Sequence, residues 1–253
     1  MYRRNINFKK KMICSLSIHI VLILFLFVNI EAKIKLISPG EKSLSKNDVM
    51  VLIGEIIGAD SIDVLVNSKD KRKLKIDKNT FYDRINLIKG ENNIKVTASS
   101  QGKQVDSVDI NIYFAEDLKS SKNPKDFNPF YIHTMLVENG ECTECHDLKL
   151  SVDKYELKKG DRGLCFNCHD ERLDVKYVHG PVAGGACLSC HNPHGSPYEF
   201  TVRMEGDKLC YFCHEEDRIK TDHIAKLKAE EAKKTCTDCH DVHGNNNEYF
   251  IKK

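Results

Sequence analysis

The chain has 253 residues, of which 41% are hydrophobic and 30% charged, and this length suits one large domain or two small ones. Its formal net charge of +2 gives no basic excess of the kind that binds nucleic acid. The composition also excludes a collagen, a low-complexity disordered chain and a multi-span membrane protein. The unusual count is cysteine, with 11 residues, and Trp is absent.

Residues 1–32 are typical of a secretory signal peptide. Five Lys or Arg residues precede an unbroken apolar run, Ile20 to Val28, and the small residue Ala32 follows. The alternative is an uncleaved anchor through residues 12–30, a stretch of marginal length for a membrane span. Both interpretations place the remainder of the chain outside the cytoplasm. Cys14 is lost if the segment is cleaved.

Residues 33–115 contain neither Cys nor His and alternate apolar with polar side chains in short runs. Such period-two runs, separated by turns rich in Gly, Asn and Asp, are typical of half-buried strands. About seven strands in this stretch predict an antiparallel β-sandwich. The alternating residues are Ile62, Val64, Val66, Leu74, Ile76, Phe81, Ile85, Leu87, Ile94, Val96, Val108, Ile110 and Ile112.

The segment FYDRINLIKGENNIKVTAS, residues 81–99, resembles the later strands of bacterial immunoglobulin-like domains. The resemblance implies an immunoglobulin-like sandwich over residues 33–115, without the disulfide of antibody domains. We expect this region to act as a spacer or docking module rather than to carry chemistry. Residues 116–129 are polar, contain two Pro and show no periodicity, which predicts a linker.

The remaining ten cysteines all lie in residues 130–253, in five copies of the pattern Cys-x-x-Cys-His. This pattern is the attachment signature of c-type haem. Each thiol adds across one haem vinyl group, and the His that follows binds the iron as its proximal ligand. The cysteine pairs are Cys142 and Cys145, Cys165 and Cys168, Cys187 and Cys190, Cys210 and Cys213, and Cys236 and Cys239. The proximal histidines are His146, His169, His191, His214 and His240.

Two other interpretations of these cysteines are weaker. Paired Cys-x-x-Cys knuckles form zinc sites with four thiolates, but five knuckles do not pair evenly. A disulfide framework is common in secreted Cys-rich chains. Neither explains a His directly after every second Cys. The sequence therefore predicts five covalently attached haem c groups.

Five further histidines supply a second axial ligand for each of the five irons: His133, His179, His194, His223 and His243. This match predicts bis-His iron at every site. The motifs beginning at 142, 187 and 236 are spaced by 45 and 49 residues, which indicates an internal repeat. His194 and His243 each follow a proximal His by three residues. Since so short a link cannot easily reach the opposite face of the same haem, we expect each to bind a neighbouring iron.

The run HGPVAGGACLSCHNPHGS followed by LCYFCH resembles the doubled Cys-x-x-Cys-His modules of multihaem cytochromes c. The resemblance implies electron transfer in the periplasm or at the cell surface, low potentials and closely stacked haems. The first copy departs from the pattern, because Asp147, Leu148 and Lys149 follow its motif in place of a second His. The ligand that completes the first iron is therefore open at this point.

The second half is too short to enclose five haems in an ordinary peptide core, so we expect the haems to be its core. The predicted fold is mostly irregular, with short helical turns at the motifs. One clearer helix is expected over Asp222–Lys234, where Ile224 and Leu227 share a face.

The function predicted from these residues is a pentahaem electron carrier, because an iron closed by two imidazoles offers no substrate site. The expected partners are other exported redox proteins, either cytochromes or a membrane quinol-oxidising complex, with no nucleic acid. Two alternatives stay open. One is a multihaem reductase with a single open iron and a nearby proton donor. The other is a docking component of a larger surface electron-transfer complex.

Overall fold

The computed structural model describes residues 32–133, 142–147, 156–157, 161–169 and 174–252. The signal peptide or anchor predicted in residues 1–32 lies outside the described residues, apart from Ala32. Among the described residues, no helix combines the length and the apolar character that crossing a membrane requires.

Residues 33–129 form nine strands in two sheets. The order in the smaller sheet is β1-β3-β6, and the order in the larger sheet is β5-β4-β7-β8-β2-β9. Pairing is antiparallel except where β2 runs parallel to β8 and β9. The strands are β1 (Lys33–Ser38), β2 (Ser43–Ser45), β3 (Val49–Ile57), β4 (Ser61–Val66), β5 (Asp70–Leu74), β6 (Thr80–Asn86), β7 (Gly90–Ser100), β8 (Lys103–Phe114) and β9 (Asn128–Pro129).

The alternation in the sequence determines which side chains the two sheets bury between them. Ile62, Val64 and Val66 of β4 are buried, and the polar residues between them are not. The β7–β8 hairpin turns at Gln101 and Gly102, which both have positive φ, as a two-residue hairpin loop requires. The prediction of a β-rich first half is confirmed.

The segment predicted as a linker ends against the sheets. Asn128–Pro129 pairs with β2, and the Phe127 ring is buried at 5.8 Å from that of Tyr113. The next aromatic residue, Phe130, belongs to the same hydrophobic cluster as the strands. The chain therefore leaves the β-rich half through a packed aromatic segment.

The second half contains short helices, single turns of 3₁₀-helix and two-residue strands. The helices are α1 (Asp161–Cys165), α2 (Gly180–Ala183), α3 (Lys208–Tyr211), α4 (Glu216–Asp222) and α5 (Cys236–Cys239). The 3₁₀ turns are Cys142–Glu144, Cys187–Ser189, Glu199–Thr201, Ile224–Lys226 and Glu231–Lys233. Strand β10 (His146–Asp147) pairs with β11 (Glu156–Leu157), and β12 (Tyr177–Val178) pairs with β13 (Gly244–Asn245).

The helix predicted over Asp222–Lys234 is wrong. Helix α4 ends at Asp222, and only two isolated 3₁₀ turns follow before α5. Leu227 interrupts the stretch with extended backbone, at ψ 158°. The physical reason is that Ile224 and Leu227 offer only two apolar contacts, and a charged helix this short is marginal without packing.

No hydrophobic side chain after Phe130 is buried among the described residues. The short helices and turns confirm the irregular character predicted for the second half, and its described residues form no peptide core.

Candidate cofactor-binding sites

The Cys-x-x-Cys-His motifs fold into similar local turns. We number them motif 1 to motif 5 in chain order. In motif 3, the backbone N–H groups of Cys190 and His191 both donate to the carbonyl oxygen of Cys187, at 3.2 and 3.0 Å. The second and fourth motifs repeat both bonds, motif 1 repeats the first and motif 5 the second. This compact turn brings the two sulfurs and the imidazole together, as covalent haem attachment requires.

Among the described residues, none of the ten motif cysteines forms a disulfide bond, and each is half-buried or exposed. Burial first, and then a hydrogen bond to the Asp207 carboxylate, raises the pKa of Cys236 to about 12. Burial is also the main cause that raises the pKa of Cys190 and Cys210. These three sulfurs therefore stay neutral thiols at pH 7.

Asp207, Cys210 and Cys236 place one potential metal-ligating atom each within 4.8 Å of one another. The two sulfurs belong to motif 4 and motif 5, and they lie within hydrogen-bonding reach of each other. Thioether formation in both motifs would use both sulfurs. The cluster is therefore better explained as two adjacent attachment points than as a separate metal site.

The clearest feature of the second half is the pairing of its histidines. Each motif His faces one of the five other histidines, and no His belongs to two pairs. Numbered by motif, the pairs are site 1 (His146–His194), site 2 (His169–His133), site 3 (His191–His243), site 4 (His214–His179) and site 5 (His240–His223).

The ring centroids of these pairs are separated by 5.9, 6.2, 6.0, 6.1 and 5.9 Å for sites 1 to 5. An imidazole nitrogen binds a first-row metal at about 2 Å, and the ring centroid lies about 1 Å behind that nitrogen. A metal held between two imidazoles therefore separates their centroids by about 6 Å. The spacing of all five pairs fits an iron between the two rings.

Backbone carbonyl groups orient three of these rings. The Nδ1 atom of His191 lies 2.9 Å from the Phe200 carbonyl oxygen, and that of His240 lies 2.8 Å from the Tyr249 carbonyl oxygen. His179 makes the same contact with the carbonyl oxygen of Val242, at 2.9 Å. A hydrogen bond at Nδ1 leaves Nε2 as the free lone pair, which is the usual arrangement behind a metal-bound His.

Two other rings are kept neutral by their surroundings. Burial first, and then the neighbouring His169, lower the pKa of His133. Burial first, and then His146, lower the pKa of His194. Neutral imidazole is the form that binds a metal, so both shifts favour ligation.

Sequence reasoning missed the segment that holds the proximal rings of motif 3 and motif 5. After each motif the chain returns, and the residues nine and eleven positions beyond the proximal His contact it. The backbone of His191 forms an antiparallel β-bridge with that of Val202, and the backbone of His240 forms one with that of Ile251. The sequence does carry a signal for this returning segment. Glu199 lies four residues after Gly195, which follows His194, and Glu248 lies four residues after Gly244, which follows His243.

Several large apolar side chains of the second half are exposed beside these sites. Phe200 is 82% exposed, Phe212 within motif 4 is 70% exposed, and Tyr249 is 68% exposed. Exposed apolar groups clustered around one feature mark a surface that is covered in the functional state. A bound haem would supply an apolar surface for such side chains. The residues present therefore fit c-type haem both in ligands and in apolar surroundings.

The pairing also links the motifs. His194, which follows motif 3, faces His146 of motif 1, and His243, which follows motif 5, faces His191 of motif 3. The sequence spacing led us to expect that each would reach a neighbouring site, and the structure places both beside another motif. The His that faces the proximal His of the broken first copy is thus His194, which follows motif 3.

Comparison with known proteins agrees with this chemistry. Residues 134–173 and 179–219 match the family model of the doubled CXXCH motif. The match supports a multihaem c-type cytochrome-like module. The CXXCH motifs indicate covalently bound c-type haem and a role in electron transfer. The matched residues contain the first four motifs and end before the fifth.

No curated protein matches the chain. Three solved structures with low similarity each match about a third of this chain. An engineered protein has 15% identity and a TM-score of 0.29, over 33% of this chain and 20% of that one. The fibronectin(III)-like modules of Clostridium thermocellum CbhA have 13% identity and a TM-score of 0.26, over 32% of this chain and 95% of theirs, and a modular endo-β-1,4-mannanase from Cellulomonas fimi has 16% identity and a TM-score of 0.28, over 33% of this chain and 18% of that one. The chain spans about a fifth of the engineered protein and of the mannanase. At these TM-scores the likenesses decide nothing, and the immunoglobulin-like assignment stays a prediction.

Proposed function

We propose that the chain is an exported pentahaem c-type cytochrome that relays electrons between redox partners, with every iron held between two imidazoles. The observation that carries this proposal is the set of five exclusive histidine pairs with ring centroids 5.9–6.2 Å apart. One pair accompanies each motif, so the number of pairs agrees with five haems.

The cysteines and histidines of the chain have separate tasks. The two thiols of each motif would form the thioether bonds to haem, and the histidine pair of the same site would bind its iron. A bound haem supplies one-electron redox chemistry at its iron. Because both axial positions are taken by neutral imidazoles, the sites favour low potentials and offer no vacancy to a substrate. This favours a carrier over the reductase, which needs one open position.

Export is part of the proposal. A basic start followed by the apolar run Ile20 to Val28 supports it, with the periplasm or the cell surface as the destination. The partners would then be other exported redox proteins, either cytochromes or a membrane quinol-oxidising complex. Anchoring through residues 12–30 is the alternative to a freely diffusing form.

Intact mass and the ferric absorption spectrum of the exported protein test the proposal. We expect five covalently bound haems, a wholly low-spin ferric spectrum and no change on addition of cyanide. The double variant Cys187→Ser and Cys190→Ser is the control, and it should lose the mass of one haem. A mass with fewer than five haems in the unmodified protein, or a high-spin fraction that binds cyanide, would overturn the proposal, and the second result would favour the reductase.

A further inference from the structure

The β-rich half touches the second half beside two of the paired histidines. The N–H of Tyr131 donates to the carbonyl oxygen of Ser196 at 2.8 Å, and the N–H of Ser196 donates back to Tyr131 at 2.9 Å. This two-bond bridge joins the end of the aromatic segment to the chain that follows motif 3.

Phe130 fixes the same junction from the side of the β-rich half. Its ring is 8% exposed and belongs to the hydrophobic cluster between the sheets. A Cβ atom placed on Gly195 would lie 2.6 Å from the Phe130 ring and 2.9 Å from the Ile132 side chain. Gly195 also has φ +122°, a conformation that only glycine adopts readily. The backbone at Gly195 therefore lies directly on the aromatic ring.

Each of the two chain segments joined by this bridge carries one of the paired histidines. His194 immediately precedes Gly195 and faces His146 at site 1. His133 follows Tyr131 by two residues and faces His169 at site 2. The same bridge thus sets the position of the second imidazole at both sites.

The other three sites do not depend on this junction in the same way. Their second imidazoles belong to His243, His179 and His223, which all lie within residues 174–252. The N–H of His179 donates to the His243 carbonyl oxygen at 3.1 Å, so two of these three are fixed to each other.

We propose that Phe130 is a positioning residue through which the β-rich half holds the second axial ligands of sites 1 and 2. This inference rests on the proposed bis-His function. It gives the β-rich half a role beyond that of a spacer, since two of the five irons would depend on its core for their sixth ligand.

The test compares Phe130→Ala with Phe81→Ala in the full-length exported holoprotein. Phe81 is the matched control, because its ring is fully buried in the same core and packs on the backbone of Gly54, within the smaller sheet. We expect Phe130→Ala to keep five haems by mass but to show a high-spin, cyanide-binding fraction in at most two of the five. Phe81→Ala should keep five low-spin haems, although it weakens the same half.

Two results would overturn the inference: a wholly low-spin Phe130→Ala variant, or an equal high-spin fraction in Phe81→Ala. If either alanine variant fails to accumulate, the pair Phe130→Leu and Phe81→Leu gives the same comparison with a smaller cavity. Gly195→Ala should reproduce the Phe130→Ala spectrum, because its methyl group would displace the ring. The unmodified protein keeps the two proposals apart. If the unmodified protein lacks five low-spin haems, the proposed function fails. If it has five low-spin haems and the Phe130 variants have the same spectrum, only this inference fails.

Discussion

The two halves of the molecule differ in what fills their interiors. Between Ile34 and Phe130 a continuous cluster of hydrophobic side chains lies between two sheets. After Phe130, the described residues bury no hydrophobic side chain, and their apolar groups lie beside paired histidines. The first half follows ordinary hydrophobic patterning, whereas the second carries the Cys-x-x-Cys-His motifs that indicate covalently bound haem. The stability of the two halves therefore has separate sources.

The largest effect should follow from withholding haem. In a full-length chain produced without haem, we expect amides of β4, β7 and β8 to exchange with solvent at least about a thousandfold more slowly than those of residues 174–252. The reason is that the β-rich half keeps its core, while the second half loses the groups that couple its folding to ligation. Hydrogen–deuterium exchange with mass spectrometry measures this.

The holoprotein is the control for that experiment, and there both halves should be protected. Equal protection of the two halves in the haem-free chain would contradict this prediction, because it would mean that the second half has a sufficient peptide core.

The next largest effect should come from a substitution that destabilises only the β-rich half. Ile112→Ala removes a fully buried side chain of β8, and we expect it to lower the free energy of unfolding of the β-rich half by about 2–5 kcal/mol. Urea titration followed by far-UV circular dichroism reports this half, because the regular strands lie there. The haem absorption spectrum should not change.

Ile88→Ala is the matched control, since Ile88 is 61% exposed. We expect it to alter the unfolding free energy by less than about 0.5 kcal/mol. A similar loss in both variants would show that burial between the sheets is not what stabilises this half.

Sequence reasoning succeeded where the signal is local. The alternation at Ile62, Val64 and Val66 gives the buried face of β4 directly, since neighbouring side chains point to opposite faces of a strand. It failed at Asp222–Lys234, where helix propensity is local but the packing that would stabilise a helix is not.

The site was readable in part for the same reason. Cysteine spacing identifies the attachment turns, because each motif closes within five residues. Which histidines face each other depends on tertiary structure, as with His146 and His194, and no local pattern determines it. The carbonyl groups behind His191 and His240 were missed because backbone atoms leave no side-chain signature of their own, and the segment is marked only by the shared spacing of Glu199 and Glu248.

Removing one histidine that faces the proximal His of another motif should affect a single site of the second half. His243→Ala leaves His191 of site 3 without its facing ring, so about one fifth of the iron should become high-spin and bind cyanide. Absorption and cyanide titration of the ferric protein measure this. The urea transition of the β-rich half should stay unchanged.

Two further variants test whether His243 belongs to site 3. Val242→Ala changes the adjacent, 38% exposed side chain and should keep all sites low-spin. Adding His243→Ala to the double variant Cys187→Ser and Cys190→Ser, which lacks the third haem, should produce no high-spin iron. If high-spin iron appears there, His243 serves another site, and the pairing proposed for motif 3 is wrong.

The smallest effect concerns a carboxyl group of the β-rich half. Burial raises the pKa of Asp83 above its ordinary value of 3.8, and Arg72, at 2.9 Å from the carboxylate, offsets this only in part. Between 3.8 and the raised value, the folded state holds a proton that the unfolded state has released. The free energy of unfolding should therefore fall as pH rises through this window and level off above it.

We expect that fall to be no more than about 1 kcal/mol, because Asp83 and Arg72 are partly exposed. Asp83→Asn should remove it, while Asp70→Asn, which deletes the other carboxylate beside Arg72 and the smallest of the causes that raise the pKa of Asp83, should retain most of it. Urea titrations at a series of acidic pH values measure both variants. A fall that persists in Asp83→Asn would show that Asp83 is not its source, since protonation of the imidazoles in the other half at low pH would make the free energy of unfolding rise with pH instead.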